Sequence, residues 1–262
     1  MYAIETNNLT KFYGKTKGIF DVSFNVQMGE IFGFIGPNGA GKSTTIRTLL
    51  SFIYPTSGNA KIFGLDCVKQ STRVKYDIGY IPSEVHYYDD MKARDLLDYS
   101  SMFYNKDCSA KIKQLAEVFE LDLNKPIDSL SFGNKKKVCI IQALIHEPKL
   151  LILDEPTGGL DPLMQNRFFE VLREENKKGV TVFFSSHILS EVQRMCHRVA
   201  IIKNGTILKV EEVDKLRSNS YKKLRLELKD NNSFGLLDTP AITNLKTKGN
   251  IIEFIFQGDI NY

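Results

Sequence analysis

The stretch Gly36-Pro37-Asn38-Gly39-Ala40-Gly41-Lys42-Ser43 narrows what this chain can fold into more than any other. It fits G-x-x-x-x-G-K-[ST], a pattern with a mechanical meaning. The glycines let successive backbone N–H groups turn inward around phosphate oxygens, and a helix that starts there adds positive potential. Such a loop needs a buried strand before it and a helix after it. Ile31-Phe32-Gly33-Phe34-Ile35 reads as a strand buried on both faces, and Ile46, Leu49 and Leu50 give an apolar face to a helix from about Lys42 to Phe52. Pro55, Ser57 and Gly58 end that helix. Lys42 would reach the outer phosphates, Ser43 would hold Mg²⁺, and Thr44 completes the phosphate-facing turn.

A second constraint lies downstream. Leu150-Leu151-Ile152-Leu153 is an apolar strand closed by Asp154-Glu155. By themselves two carboxylates at a strand end are as readily a solvated edge. In an open α/β sheet, however, ligands gather at the C-terminal ends of the strands, and a phosphate loop already marks that edge. Asp154 then suits the outer shell of Mg²⁺, and Glu155 suits a base that polarises an attacking water.

Strand and helix runs alternate along most of the chain, which argues an α/β core around a parallel sheet. Val22, Phe24 and Val26 alternate with polar residues as a half-buried strand in an N-terminal β part. Met91 to Glu147 is mostly helical, with Ser109 as an N-cap before Ile112, Leu115, Ala116 and Phe119 at helical spacing. Val138, Ile141, Leu144 and Ile145 form a further helical face. A helix around Met164–Lys177 precedes a second buried strand, Val180–Phe184. Asn204-Gly205 marks a hairpin between Val199–Ile202 and Thr206–Val210. After Ser218 the texture changes: Leu224, Leu226 and Leu228 alternate with charges, and Ile251–Phe256 is another strand run. The expected organisation is a main domain over 1–217, with a helical subdomain over about 85–147, and a small β-rich accessory segment over 218–262. The chain stops just after a strand run, as an accessory domain cut short would.

Composition excludes several classes. A chain of 262 residues fits one large domain plus an appendage. The 35 Lys and Arg against 31 Asp and Glu leave +4, too weak and dispersed for a nucleic-acid binder. No run approaches the roughly 18 apolar residues of a membrane span. Glu5, Asn7 and Asn8 stand where a secretion signal would need an apolar core. Cys67, Cys108, Cys139 and Cys196 form no C-x-x-C, and no histidine completes a zinc pattern, so they read as reduced thiols of a cytosolic protein. Cys196-His197 reads as packing. Lys135-Lys136-Lys137 reads as a solvated face or as an assist to a nucleotide or anionic lipid.

In order, the phosphate loop, Leu130-Ser131-Phe132-Gly133-Asn134, the Asp154-Glu155 strand, Gly159-Leu160-Asp161 and His187 resemble the ATP-binding cassette (ABC) ATPases of transporters. The resemblance covers about residues 3–212. It implies a P-loop NTPase of ABC type: a parallel-sheet catalytic core, an N-terminal antiparallel β part and a helical subdomain. It implies ATP and Mg²⁺ as cofactors. Tyr13 matches the aromatic that stacks on adenine, and residues 36–44 match the phosphate cradle. Ser131 and Gly133 match the signature segment that grips the γ-phosphate bound to a facing cassette, and Asp161 matches the loop crossing that interface. Alone, His187 would read as a packed strand-end histidine; the resemblance makes it the switch histidine at the γ-phosphate and water. Lys42, Glu155 and His187 are thus the expected catalytic set.

The same resemblance implies a separate transmembrane permease, a second nucleotide-binding subunit, homo- or heterodimeric, and a peripheral place on the cytoplasmic face of the membrane. It directs Tyr87-Tyr88 and the following helical region toward that permease. The stretch from Leu144 to Ser190 is similar to bacterial exporter cassettes of the bacitracin-resistance and multidrug type, which implies export of peptide or drug-like cargo. Three segments depart from the pattern. Phe132 and Asn134 replace a Gly and a Gln, Gly159 replaces a Ser, and Ser83 stands where a Gln reaching Mg²⁺ and water is usual. Ser83 is too short for direct contact, so either a water bridges or Glu84 substitutes. Phe132 narrows the approach to phosphate only if its φ is positive. The altered signature keeps open a catalytically slow regulatory cassette in a heterodimer, and a non-transport ABC ATPase is the remaining alternative.

Overall fold

The computed structural model describes residues 1–87, 91–104, 106–218, 221–227, 242–248 and 251–257; Tyr88 and Leu228, singled out above, lie outside them. The chain divides into two compact units, Met1–Val210 and Glu211–Tyr262.

In the first unit a four-stranded antiparallel sheet has the order β2 (Thr16–Gln27), β1 (Tyr2–Tyr13), β4 (Ser57–Ile62), β5 (Leu65–Asp66). A six-stranded sheet runs β10 (Thr206–Glu212), β9 (Arg198–Lys203), β3 (Ile31–Ile35), β8 (Thr181–Ser186), β7 (Leu150–Asp154), β6 (Ile78–Ile81). Strands β9, β3, β8, β7 and β6 pair in parallel. The connecting helices are α1 (Lys42–Leu49), α2 (Ser71–Tyr76), α3 (Ala93–Ser101), α4 (Ser109–Val118), α5 (Phe132–Leu144), α6 (Pro162–Lys177) and α7 (Leu189–Met195). The β9–β10 turn places Asn204 and Gly205 at φ 50° and 75°, the pair of positive values a tight hairpin requires.

Continuous apolar runs become the central strands because both of their faces are covered. Leu150, Leu151, Ile152 and Leu153 are all fully buried. Four phenylalanines bind the two sheets together. Phe24 of β2 stacks on Phe32 of β3 and Phe183 of β8, with ring centroids 5.6 and 5.7 Å apart, and Phe34 closes the cluster. Each buried ring contributes about 1.5–3 kcal/mol.

Strand register sets where chemistry can gather. Ile35 pairs with Ser186, Asp154 with Ser185, and Ile81 with Leu153. The strand ends are therefore level, and the segments starting at Gly36, Pro82, Glu155 and His187 leave one common edge.

Two local expectations shift. Helix α1 ends at Leu49 rather than Phe52, because Ser51 takes φ 54° and turns the chain. Ser109 is the first helical residue of α4, not its cap. Cys108 holds the N-cap position, and Asp107 Oδ1 accepts from the Ser109 N–H at 2.9 Å, doing the work expected of a Ser109 hydroxyl.

The second unit carries α8 (Val213–Ser218) and a three-stranded antiparallel sheet, β11 (Tyr221–Glu227), β13 (Ile251–Gln257), β12 (Ile242–Lys248), with β13 central.

Candidate functional site

The phosphate loop is shaped by close approach. A Cβ on Gly36 would stand 2.3 Å from the Ile202 carbonyl oxygen, so only glycine fits beside β9. Gly41, at φ 108°, is the N-cap of α1, with no side chain to cap it and no acid in the first turn. The leading N–H groups of α1 are thus free of side-chain competition for an anion. Lys42 is buried, and its ammonium donates to the carbonyls of Gly36 (2.8 Å) and Pro37 (3.2 Å).

Lys42 Nζ also lies 3.1 Å from Glu155 Oε1, while His187 Nδ1 lies 3.1 Å from Glu155 Oε2. The two strand-end groups and the loop lysine therefore meet on one carboxylate. Burial pushes the Glu155 carboxyl up, but Lys42 and His187 together hold it below the usual value of 4.5. Glu155 sits at φ 47°, a left-handed conformation uncommon for a non-glycine residue. Asp154 behaves oppositely: burial raises it, and the hydroxyls of Ser43 and Ser185 only partly offset that. Ser185 donates to Asp154 Oδ1 at 3.2 Å. Serine hydroxyl and carboxylate at the foot of the loop are a hard-oxygen donor set of the kind Mg²⁺ takes.

Tyr13 ends β1 and is half exposed. Gly18 explains its position: a Cβ there would stand 2.9 Å from the Tyr13 ring and 3.2 Å from Thr44. The ring thus leans toward the start of α1. Lys11 lies 5.6 Å from its centroid.

Ser131 is the N-cap of α5, accepting from the Asn134 N–H at 3.3 Å. Phe132 is the first helical residue and has no positive φ, so it does not narrow the backbone approach. Its ring instead covers Gly159, where a Cβ would stand 2.3 Å from it at φ 82°. The two departures from the family pattern thus fit each other. Asp161 caps α6, accepting from the Met164 N–H at 3.0 Å ahead of Pro162.

Other residues are not brought into the cluster. Glu84 is 84 % exposed and pairs at 3.8 Å with His86, away from the carboxylates. Lys136 is not part of a solvated face. It is fully buried and donates to the Pro82 carbonyl at 2.7 Å, because it shares the inner stripe of α5 with Cys139 and Ala143. Tyr87, which the resemblance directs toward a permease, lines a groove of about 720 Å³ with Tyr80, Tyr99, Phe103, Tyr104 and His146, and sequence reasoning missed the His146 side of it. His146 stacks on Tyr104 at 4.0 Å between ring centroids, and burial lowers it to about 4. Only the helical spacing of Cys139, Ala143 and His146 signalled this face in advance.

The family model described as ABC transporter matches residues 19–158. The bacitracin transport ATP-binding protein BcrA of Bacillus licheniformis is 38% identical over 235 residues, spanning 87% of this chain and 76% of BcrA. The linearmycin resistance ATP-binding protein LnrL of Bacillus subtilis is 35% identical over 212 residues, spanning 79% of this chain and 68% of LnrL. A solved structure of an ATP-binding subunit of an ABC transporter superposes with a TM-score of 0.77 at 32% identity, covering 82% of this chain and 92% of that one.

Proposed function

The chain belongs to the ABC transporter family as an ATP-binding, ATP-hydrolysing subunit, and from that premise we propose how its residues divide the work. The phosphate cradle at 36–44 binds the triphosphate, Lys42 meets the outer phosphates, and Tyr13 stacks on the base. Glu155 takes a proton from the attacking water as that oxygen bonds to the γ-phosphorus. The bond from γ-phosphorus to the bridging oxygen breaks, and ADP and phosphate leave. His187 fixes the Glu155 carboxylate and faces the γ-phosphate. Electrostatic stabilisation by Lys42 and His187 carries most of the barrier reduction. Ser43 and Asp154 would hold Mg²⁺, which neutralises charge developing on the phosphates. The observation carrying this reading is the Glu155 carboxylate shared between Lys42 and His187, each at 3.1 Å, beside the loop.

Ser131 and Gly133 grip the γ-phosphate of a facing cassette, with Asp161 crossing between them. ATP draws the cassettes together and hydrolysis releases them. Among the described residues no helix is long and apolar enough to cross a membrane. A separate permease therefore supplies the path, and its cytoplasmic end sits in the aromatic groove beside α5, with the cassette on the inner membrane face. The names of BcrA and LnrL favour export of peptide or drug-like cargo.

Glu155→Gln tests the assignment: ATP binding is retained and turnover falls about 10²–10⁴-fold. Unchanged steady-state hydrolysis removes Glu155 from its role.

A further inference from the structure

Lys136 poses a question the mechanism above leaves unused. An ammonium with no exposure to water is costly unless something fixes it. Its hydrogen bond goes to a neutral group, the Pro82 carbonyl at 2.7 Å. The register of β6 on β7, Ile81 beside Leu153, puts Pro82 level with Asp154, one strand spacing away. Burial pushes the ammonium below the usual lysine value, and Cys139, Asp154 and Glu155 offset that only in part. The hydrogen bond to Pro82 therefore ties the helix that begins at the signature segment to the strand beside Asp154.

The segment it holds is tied to α5 at a second point. Tyr87 donates to Gln142 Oε1 at 3.3 Å, and Gln142 donates to Ser100 Oγ of α3 at 2.9 Å. Pro82–Tyr87 is therefore a strap pinned to α5 at both ends, with Glu84 and His86 exposed between the pins. One pin stands at the carboxylates and the other at the aromatic groove.

We propose that Lys136 is a positioning residue of the ATP site: its ammonium, held on the Pro82 carbonyl, locks the end of β6 to the signature helix beside the strand end that carries Asp154 and Glu155. This rests on the ATP-site reading above. The lock acts on the geometry of the reacting groups and leaves the nucleotide cradle alone, so its loss is read in kcat and not in KM. Replacing the buried cation by an apolar side chain leaves the Pro82 carbonyl without its donor, so some stability is lost as well, and the melting temperature reads that loss separately.

The test is steady-state hydrolysis by the full chain carrying K136M or K136Q, with melting temperature and ATP binding measured alongside. K136M is expected to lower kcat at least about tenfold, with KM for ATP within about twofold, in an assay run well below its melting temperature. K136Q keeps a donor but not the charge, and its kcat falls between K136M and the parent. If K136M does not stay soluble, K136Q decides alone, with a lowered kcat at unchanged KM. The proposal is overturned if K136M turns over at the parent rate, if its loss is matched by a rise in KM or disappears when the assay is run further below its melting temperature, or if K136Q equals either the parent or K136M. E155Q run in parallel separates the two readings: full turnover in E155Q sinks the ATP-site assignment itself, whatever Lys136 does.

Discussion

The helix starts at Gly41 and at Ser131 are built for the same kind of ligand and placed in opposite surroundings. Neither has an acid in its first turn, so both present unopposed N–H groups to an anion. Around α1 the chain supplies everything else: the looped backbone, the buried Lys42, and Asp154 and Glu155 at the adjoining strand end. Around α5 it supplies very little. Ser131 and Phe132 are exposed, the cap is a single serine, and the nearest backbone is Gly159, whose carbonyl oxygen would stand 2.7 Å from a Cβ on Gly133. The α1 start has its own lysine and carboxylates around it and the α5 start a serine cap, which is the asymmetry the proposed shared site requires.

Substitutions separate the halves. Lys42→Ala has the largest expected effect, weakening ATP binding to the isolated chain about 10–10²-fold through loss of a charge-assisted contact. Parent affinity in an equilibrium titration contradicts the loop assignment. Ser131→Ala sharpens the contrast: ATP affinity of the isolated chain stays as it was, while turnover in the assembled transporter falls about fivefold to tenfold with the cap. Equal losses in both settings erase the distinction between the two ends.

The smallest effect concerns how the α5 region is held to the core. Glu175 of α6 is buried between Lys111 of α4 at 2.9 Å and Lys178 at 3.0 Å. Burial pushes its carboxyl up, but the two lysines override this and hold it below the usual 4.5. A folded value below the unfolded one means this stabilisation is complete above pH ~4.5 and is lost as pH falls through the folded value. Glu175→Gln should cost about 1–3 kcal/mol, at about 2–4 °C of melting temperature per kcal/mol, and the difference from the parent should shrink on acidification below pH ~4.5. A pH-independent difference contradicts the ion-pair origin.

Legibility in the sequence followed the same division. The loop is a contiguous pattern that local physics is enough to read, the Asp154-Glu155 strand end becomes readable once the loop marks the sheet edge, and Ser131 is readable through the resemblance. Lys136 is not, because a run of three lysines looks solvated until the packing of α5 on β6 decides which one turns inward. The aromatic groove is assembled from Tyr80, Tyr99, Tyr104 and His146, far apart along the chain. The fit of Phe132 over Gly159 likewise joins two segments that only the fold brings together. Which way Glu84 turns was equally out of reach, because its exposed side chain, 3.8 Å from His86, is set by the loop after β6 rather than by a local pattern.

The most direct measurement is a structure of the E155Q chain with ATP and Mg²⁺ in its assembled state. Lys42 of one cassette and the Ser131 helix end of the cassette facing it should both lie within about 3 Å of the same terminal phosphate. A triphosphate enclosed by one chain alone, with every Ser131 helix end remote from it, would contradict the shared site.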